Sequence, residues 1–173
     1  MRSQKVKLVT LAAVFSAIIF MVTAIPQIHI PMPGGQGYVH LGDCFIYLAA
    51  CFLPTPYAVA AAVIGSGLSD ALLGAMLYIL PTALIKGCMA ATFSRRGPRL
   101  VTLRNIIGLA AASVILIGGY FLADAVLFGN WVAPVASLPW NAAQALGSAA
   151  LFLILGAAMD KTDLKTKLLG DAQ

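Results

Sequence analysis

The side chains with chemistry to offer are few, and they lie in apolar surroundings. Asp43, Asp70, Lys86 and Asp124 fall at or within long hydrophobic stretches. An ionisable group in such a setting is costly unless it faces a cavity or a partner. Caps at helix ends near lipid headgroups account for Asp43 and Asp70 as well as a ligand role does. Lys86 differs, because apolar residues flank it for several positions on both sides. It either meets a ligand, leaving room for an anionic one, or neutralises an aspartate. Trp140, Asn141 and Gln144 cluster, and the two amides, three residues apart, share one helical face. Tyr78, Tyr120 and Trp131 are placed toward the same side of the membrane. Aromatic faces beside amides suit a flat polar heterocycle, a pyrimidine or pyridine for example. An interfacial aromatic belt explains Trp131 well, but explains paired amides within a helix poorly.

Other reactive residues point away from catalysis. His29 and His40 are eleven apart in a segment rich in proline and glycine, without an HExxH or CxxCH pattern. They read as structural or ligand-contacting, and no metal or cofactor is expected. Cys44, Cys51 and Cys88 are odd in number and widely spaced. They form neither a disulfide framework nor a zinc pattern, and pack as small hydrophobes.

These groups must be positioned by membrane helices. The chain has 173 residues, of which 61% are hydrophobic and 10% charged. A soluble domain carries roughly 25% charge, so this chain cannot cover a soluble globule with polar surface. A cleaved leader does not resolve the excess: Arg2, Lys5 and Lys7 precede an apolar run from Leu8 to Ile25, but the remainder of the chain is equally apolar. The expected architecture is all-α, a single membrane domain over 1–173, with six spans at about 8–25, 40–53, 57–73, 75–93, 105–128 and 140–159. The stretch 57–93 is too long for one span, and it is divided near Leu73–Gly74, with Gly65 and Gly67 as further interruptions. The intervening QIHIPMPGGQGYVH, 27–40, is expected to be an irregular external segment.

Basic residues set the orientation. Arg2, Lys5 and Lys7, then Arg95, Arg96, Arg99 and Arg104, then Lys161, Lys165 and Lys167 form three clusters. Such clusters mark cytoplasmic segments, which puts both termini and the 94–104 connection inside. The central cluster lacks interleaved aromatics, so no nucleic-acid partner is expected. There is no GxxxxGK[ST] loop, so the chain does not hydrolyse ATP by that route. On the first helix Ala13 and Ala17 form an AxxxA pair beside Ser16. Small side chains let another helix approach closely, either a partner protein or a neighbour within the bundle.

Three stretches, HLGDCFIYLAA at 40–50, GSGLSDALLGAMLYILPTALIKG at 65–87 and the Ala13/Ala17 pair, resemble the substrate-binding (S) component of energy-coupling factor (ECF) vitamin transporters. The similarity is closest to the riboflavin and hydroxymethylpyrimidine branch. It implies a six-helix protein of the prokaryotic plasma membrane that captures a small water-soluble vitamin or precursor outside. Partners would be a transmembrane coupling protein, a pair of cytosolic ATPases and the lipid bilayer. By the same resemblance Ala13, Ser16 and Ala17 meet the coupling protein, and Gly34, Gly35 and Gly37 give freedom to a lid over the pocket. Asn141 and Gln144 face the ligand. Together with the residues above, the expected ligand set is His40, Tyr78, Lys86, Tyr120, Trp140, Asn141 and Gln144, on walls from the fourth to sixth helices. A full riboflavin, thiamine or biotin signature is not present. Two rival classes stay open. One is an ion-coupled carrier working through Asp70 or Lys86; the other is a membrane redox or enzyme subunit using His29, His40 or a buried aspartate.

Overall fold

Proline and glycine divide the apolar sequence into its elements. The computed structural model describes residues 2–32 and 35–169. In chain order these form α1 (Arg2–Ala24), β1 (Gln27–Met32), β2 (Gly35–His40), α2 (Asp43–Phe52), α3 (Thr55–Leu72), α4 (Ile79–Ala91), α5 (Leu103–Phe128), α6 (Leu138–Lys161) and α7 (Leu164–Leu169). Short 3-10 turns at Met76–Tyr78 and Ala133–Ser137 lead into α4 and α6. Pro56 sits in the first turn of α3, where its missing N–H costs nothing.

The division of 57–93 falls where expected. α3 ends at Leu72, and Gly74 takes a φ of 76°, a left-handed conformation that glycine adopts without strain. Gly65 and Gly67, by contrast, do not interrupt the helix. A Cβ on Gly65 would lie 2.6 Å from the Ser16 carbonyl oxygen and 2.9 Å from the Ile19 side chain. Glycine here lets the backbones of α1 and α3 touch, the use small residues have in membrane bundles.

The segment 27–40 is not irregular. β1 and β2 pair antiparallel, with Gln27 opposite His40 and Met32 opposite Gly35. Pro31 is tolerated because each strand of a two-stranded ribbon has a free edge. Of the expected lid glycines, Gly35 and Gly37 lie on β2 and Gly34 lies outside the described residues.

The second expected span is also different. α2 has ten residues, and all but Phe45 are buried. At helical rise this is about 15 Å, half the thickness of a hydrocarbon core. α2 is therefore a core helix that the others surround. Tyr47 stacks on Phe93 at 4.8 Å, and Phe152 meets both rings edge-on at 5.9 and 5.5 Å. Three segments, Gln4–Ala24, Leu103–Phe128 and Ala133–Lys161, are long and apolar enough to cross a membrane; Asp43–Phe52 and Met76–Ala91 are apolar but shorter.

The connection between α4 and α5 is fastened from within. Asn105 Nδ2 donates to the carbonyls of Leu100 and Ser94 at 2.9 and 3.1 Å. Asp160 accepts the backbone N–H groups of Leu100 and Val101 at 2.7 and 3.0 Å. Lys165, expected as part of a basic tail, is instead buried and donates to the carbonyls of Arg95 and Gly97 at 2.6 and 2.8 Å.

Candidate functional site

Polar side chains from both hairpin strands and from five helices converge beneath the hairpin. They line a cavity of about 400 Å³, within the range of small-molecule sites. The hairpin contributes His29, Tyr38 and His40; α1 contributes Thr23; α3 contributes Ser66 and Asp70. Thr82 and Lys86 come from α4, Tyr120, Asp124 and Phe128 from α5, and Asn141 and Gln144 from α6. Leu73 to Leu77, between α3 and α4, add an apolar rim, and Tyr78 beside them adds a phenol.

The floor is a buried ion pair. Lys86 Nζ lies 2.6 Å from Asp43 Oδ1, and the two side chains are 1% and 0% exposed. Gln144 Nε2 donates to the other Asp43 oxygen at 2.8 Å, while its Oε1 accepts the His40 backbone N–H at 3.3 Å. His40 Nδ1 in turn accepts the Gly42 N–H at 3.0 Å. The HLGD run is thus one local unit: a turn closed by its histidine, which starts α2 and delivers its aspartate to the lysine of the later IKG. Asp43 is therefore not a headgroup cap, and Lys86 is the partner of an aspartate rather than a free cation. Lys86 Nζ also lies 5.3 Å from the centre of the Tyr120 ring.

Two further carboxylates border the cavity. Asp124 accepts from the hydroxyls of Tyr78 at 2.7 Å and Ser137 at 3.1 Å. Asp70 Oδ1 accepts from the Tyr38 hydroxyl, which ties β2 to the end of α3. Burial, with the Asp70 charge beside it, holds the Tyr38 phenol well above its ordinary range, so it stays a donor. Thr23 Oγ1, Ser66 Oγ, Asp70 Oδ2 and Asn141 Nδ2 are buried without a hydrogen-bond partner among the described residues. Native proteins leave few such atoms, and each calls for an explanation.

Most of the expected ligand residues meet here. His40, Tyr78, Lys86, Tyr120, Asn141 and Gln144 all line the cavity. Trp140 does not: it is 42% exposed, as an interfacial aromatic would be. The walls extend beyond the expected helices, since α1 and α3 also contribute. Thr23, Tyr38, Ser66 and Thr82 are not among the residues expected from sequence. Ser66 and Asp70, four apart on an apolar helix, did carry a signal, because they share a face. Ala13 and Ala17 are exposed on α1, whereas Ser16 is buried against α3 and cannot belong to the same outward face. Among the described residues no group of three or more His, Cys, Asp and Glu could hold a metal ion.

Comparisons with known proteins bear on the family and the fold. A family model described as "ECF-type riboflavin transporter, S component" matches residues 3–161. Among solved structures the chain is similar to the S component of a bacterial ECF transporter, at 17% identity and a TM-score of 0.71, over 91% of this chain and 98% of that one. At that identity the likeness is one of fold. No curated protein matches the chain.

Proposed function

The chain belongs to the family of ECF-type riboflavin transporter S components, and from that premise we propose that the cavity beneath the hairpin is its vitamin site. The chain is a substrate-binding component of an ECF-type vitamin importer, not an enzyme. The ligand we infer is a small vitamin or vitamin precursor with a flat polar ring. One observation carries the assignment: four buried polar atoms without partners, from Thr23, Ser66, Asp70 and Asn141, border one cavity of about 400 Å³. A ligand that pairs with them removes a desolvation cost of about 1–3 kcal/mol for each. Asn141→Ala should accordingly weaken ligand binding by about tenfold to a hundredfold. Native mass spectrometry of the protein as purified, then calorimetry with the ligand so identified, measures this. Equal affinity in Asn141→Ala and Gln144→Ala would move the site elsewhere.

Transport would follow from assembly with a transmembrane coupling protein and a pair of cytosolic ATPases. In this reading the hairpin is a lid on the outer face, held shut through Tyr38 and Asp70. We take the chain to pass from one face to the other six times, the short buried α2 serving as the second passage, with both ends in the cytoplasm. The three basic clusters support that orientation. A reporter joined after Gln173 should be active only inside the cell, and an extracellular signal would sink the topology. Uptake that continues without any ATPase would favour an ion-coupled carrier instead.

A further inference from the structure

Charges on the cavity wall do not balance. Among the described lining residues Lys86 is the one lysine or arginine, set against Asp70 and Asp124. Its charge is already matched, by Asp43 at 2.6 Å. His40 adds none, because its Nδ1 accepts the Gly42 N–H, and an imidazole accepting there is neutral. His29, on β1, is itself exposed where it lines the cavity. The carboxylates of Asp70 and Asp124 therefore face the cavity with neutral hydroxyls for company.

The two differ in one respect. Asp124 has the Tyr78 hydroxyl on Oδ1, and its Oδ2 shares the single Ser137 proton with the Pro134 carbonyl. Asp70 is 3% exposed; Tyr38 bonds its Oδ1, while Oδ2 has no partner within hydrogen-bond distance among the described residues, the nearby Thr82 hydroxyl being paired with Tyr120 at 3.2 Å. A buried carboxylate with neither a cation nor a full set of donors is a costly arrangement to keep. The hydroxyls of Ser66, one turn earlier on α3, and of Thr23 on α1 border the same cavity, 1% and 2% exposed and equally unpartnered.

We propose that the ligand places a cationic or amine nitrogen on Oδ2 of Asp70, with the hydroxyls of Ser66 and Thr23 completing that end of the site. This rests on the vitamin-site reading above and narrows its substrate class. An aminated or positively charged heterocycle supplies both the missing charge and the missing N–H donors. An anionic vitamin would meet two carboxylates and a lysine already paired, so Lys86 does not select for one.

The full-length chain, purified in nanodiscs, can be titrated by calorimetry with three groups of probes. Thiamine is a fixed cation; pyridoxamine and 4-aminopyrimidine carry amines; riboflavin, nicotinate and pantothenate have no cationic nitrogen. The tightest binder should come from the first two groups. Asp70→Asn keeps an acceptor for Tyr38 but removes the charge, and should weaken that binder by about thirtyfold or more. Should Asp70→Asn fail to fold, the rank order in the parent decides alone. Preference for nicotinate or pantothenate, or unchanged affinity in Asp70→Asn, overturns the inference. Riboflavin bound most tightly, and weakened by Asn141→Ala, overturns it as well while leaving the vitamin site in place. If no probe binds below roughly 1 mM, the inference falls, and absence of any co-purified small molecule then removes the site assignment too.

Discussion

Ala17→Trp is expected to abolish uptake while leaving ligand capture by the isolated chain nearly intact. α1 buries one face: Ser16 and Ile19 pack on Gly65 of α3, and Phe15 meets Phe52 with ring centres 5.8 Å apart. The opposite face carries Val6, Val9, Ala13, Val14, Ala17 and Met21, all exposed. In lipid the hydrophobic effect gives no drive to cover such a face, so association there depends on close backbone approach, and alanine permits it. An indole at Ala17 fills that space without touching the core behind it. Recovery of a complex with the coupling protein and ATPases should fall roughly tenfold to a hundredfold, the effect of overpacking an interface by about 1–3 kcal/mol. Ala13→Trp should act alike. Ser16→Trp should not, because it would separate α1 from α3 and lower the melting temperature of the isolated chain. Copurification and uptake measured side by side test the idea. Normal assembly of Ala17→Trp would mean the partner docks on another face.

Legibility without coordinates depends on the reach of each interaction. Gly74 is legible as a break because its role is local: a left-handed residue ends a helix wherever it occurs. Gly65 is misread as a break because its role is tertiary, the near contact with Ser16 on another helix. The hairpin hides for a similar reason. Ile28 and Ile30 alternate with polar neighbours, but Pro31, Pro33 and the glycines suggest irregular chain until the two strands are paired. The length of α2 between His40 and Pro54 is readable, whereas its burial depends on the helices that enclose it. In the site, amides three apart announce Asn141 and Gln144. No spacing rule reveals which of three aspartates Lys86 will choose, since Asp43 is 43 residues away in sequence.

That choice makes Lys86→Met a severe substitution for the fold. Asp43 is fully buried at the start of α2, among Cys44, Ile46 and Tyr47, and Lys86 is its only cationic partner among the described residues. Methionine matches the length of the lysine stem but leaves the carboxylate with the Gln144 amide alone, at 2.8 Å. Removing one member of a buried pair costs about 3–5 kcal/mol, because the other charge stays behind without compensation. For a chain of this size that corresponds to a fall in melting temperature of about 10 °C or more. The double variant Asp43→Asn with Lys86→Met should recover most of the loss. Asparagine still accepts from Gln144, and no charge remains to be desolvated. Thermal melts of parent, single and double variants in one detergent measure the coupling directly. If Lys86→Met melts with the parent, the pair does not hold the bundle together. If the double variant is stable yet cannot bind ligand, Lys86 acts on the ligand as well as on Asp43. If it is stable and still imports, neither charge carries a coupling ion, and the ion-driven alternative loses this pair as its candidate site.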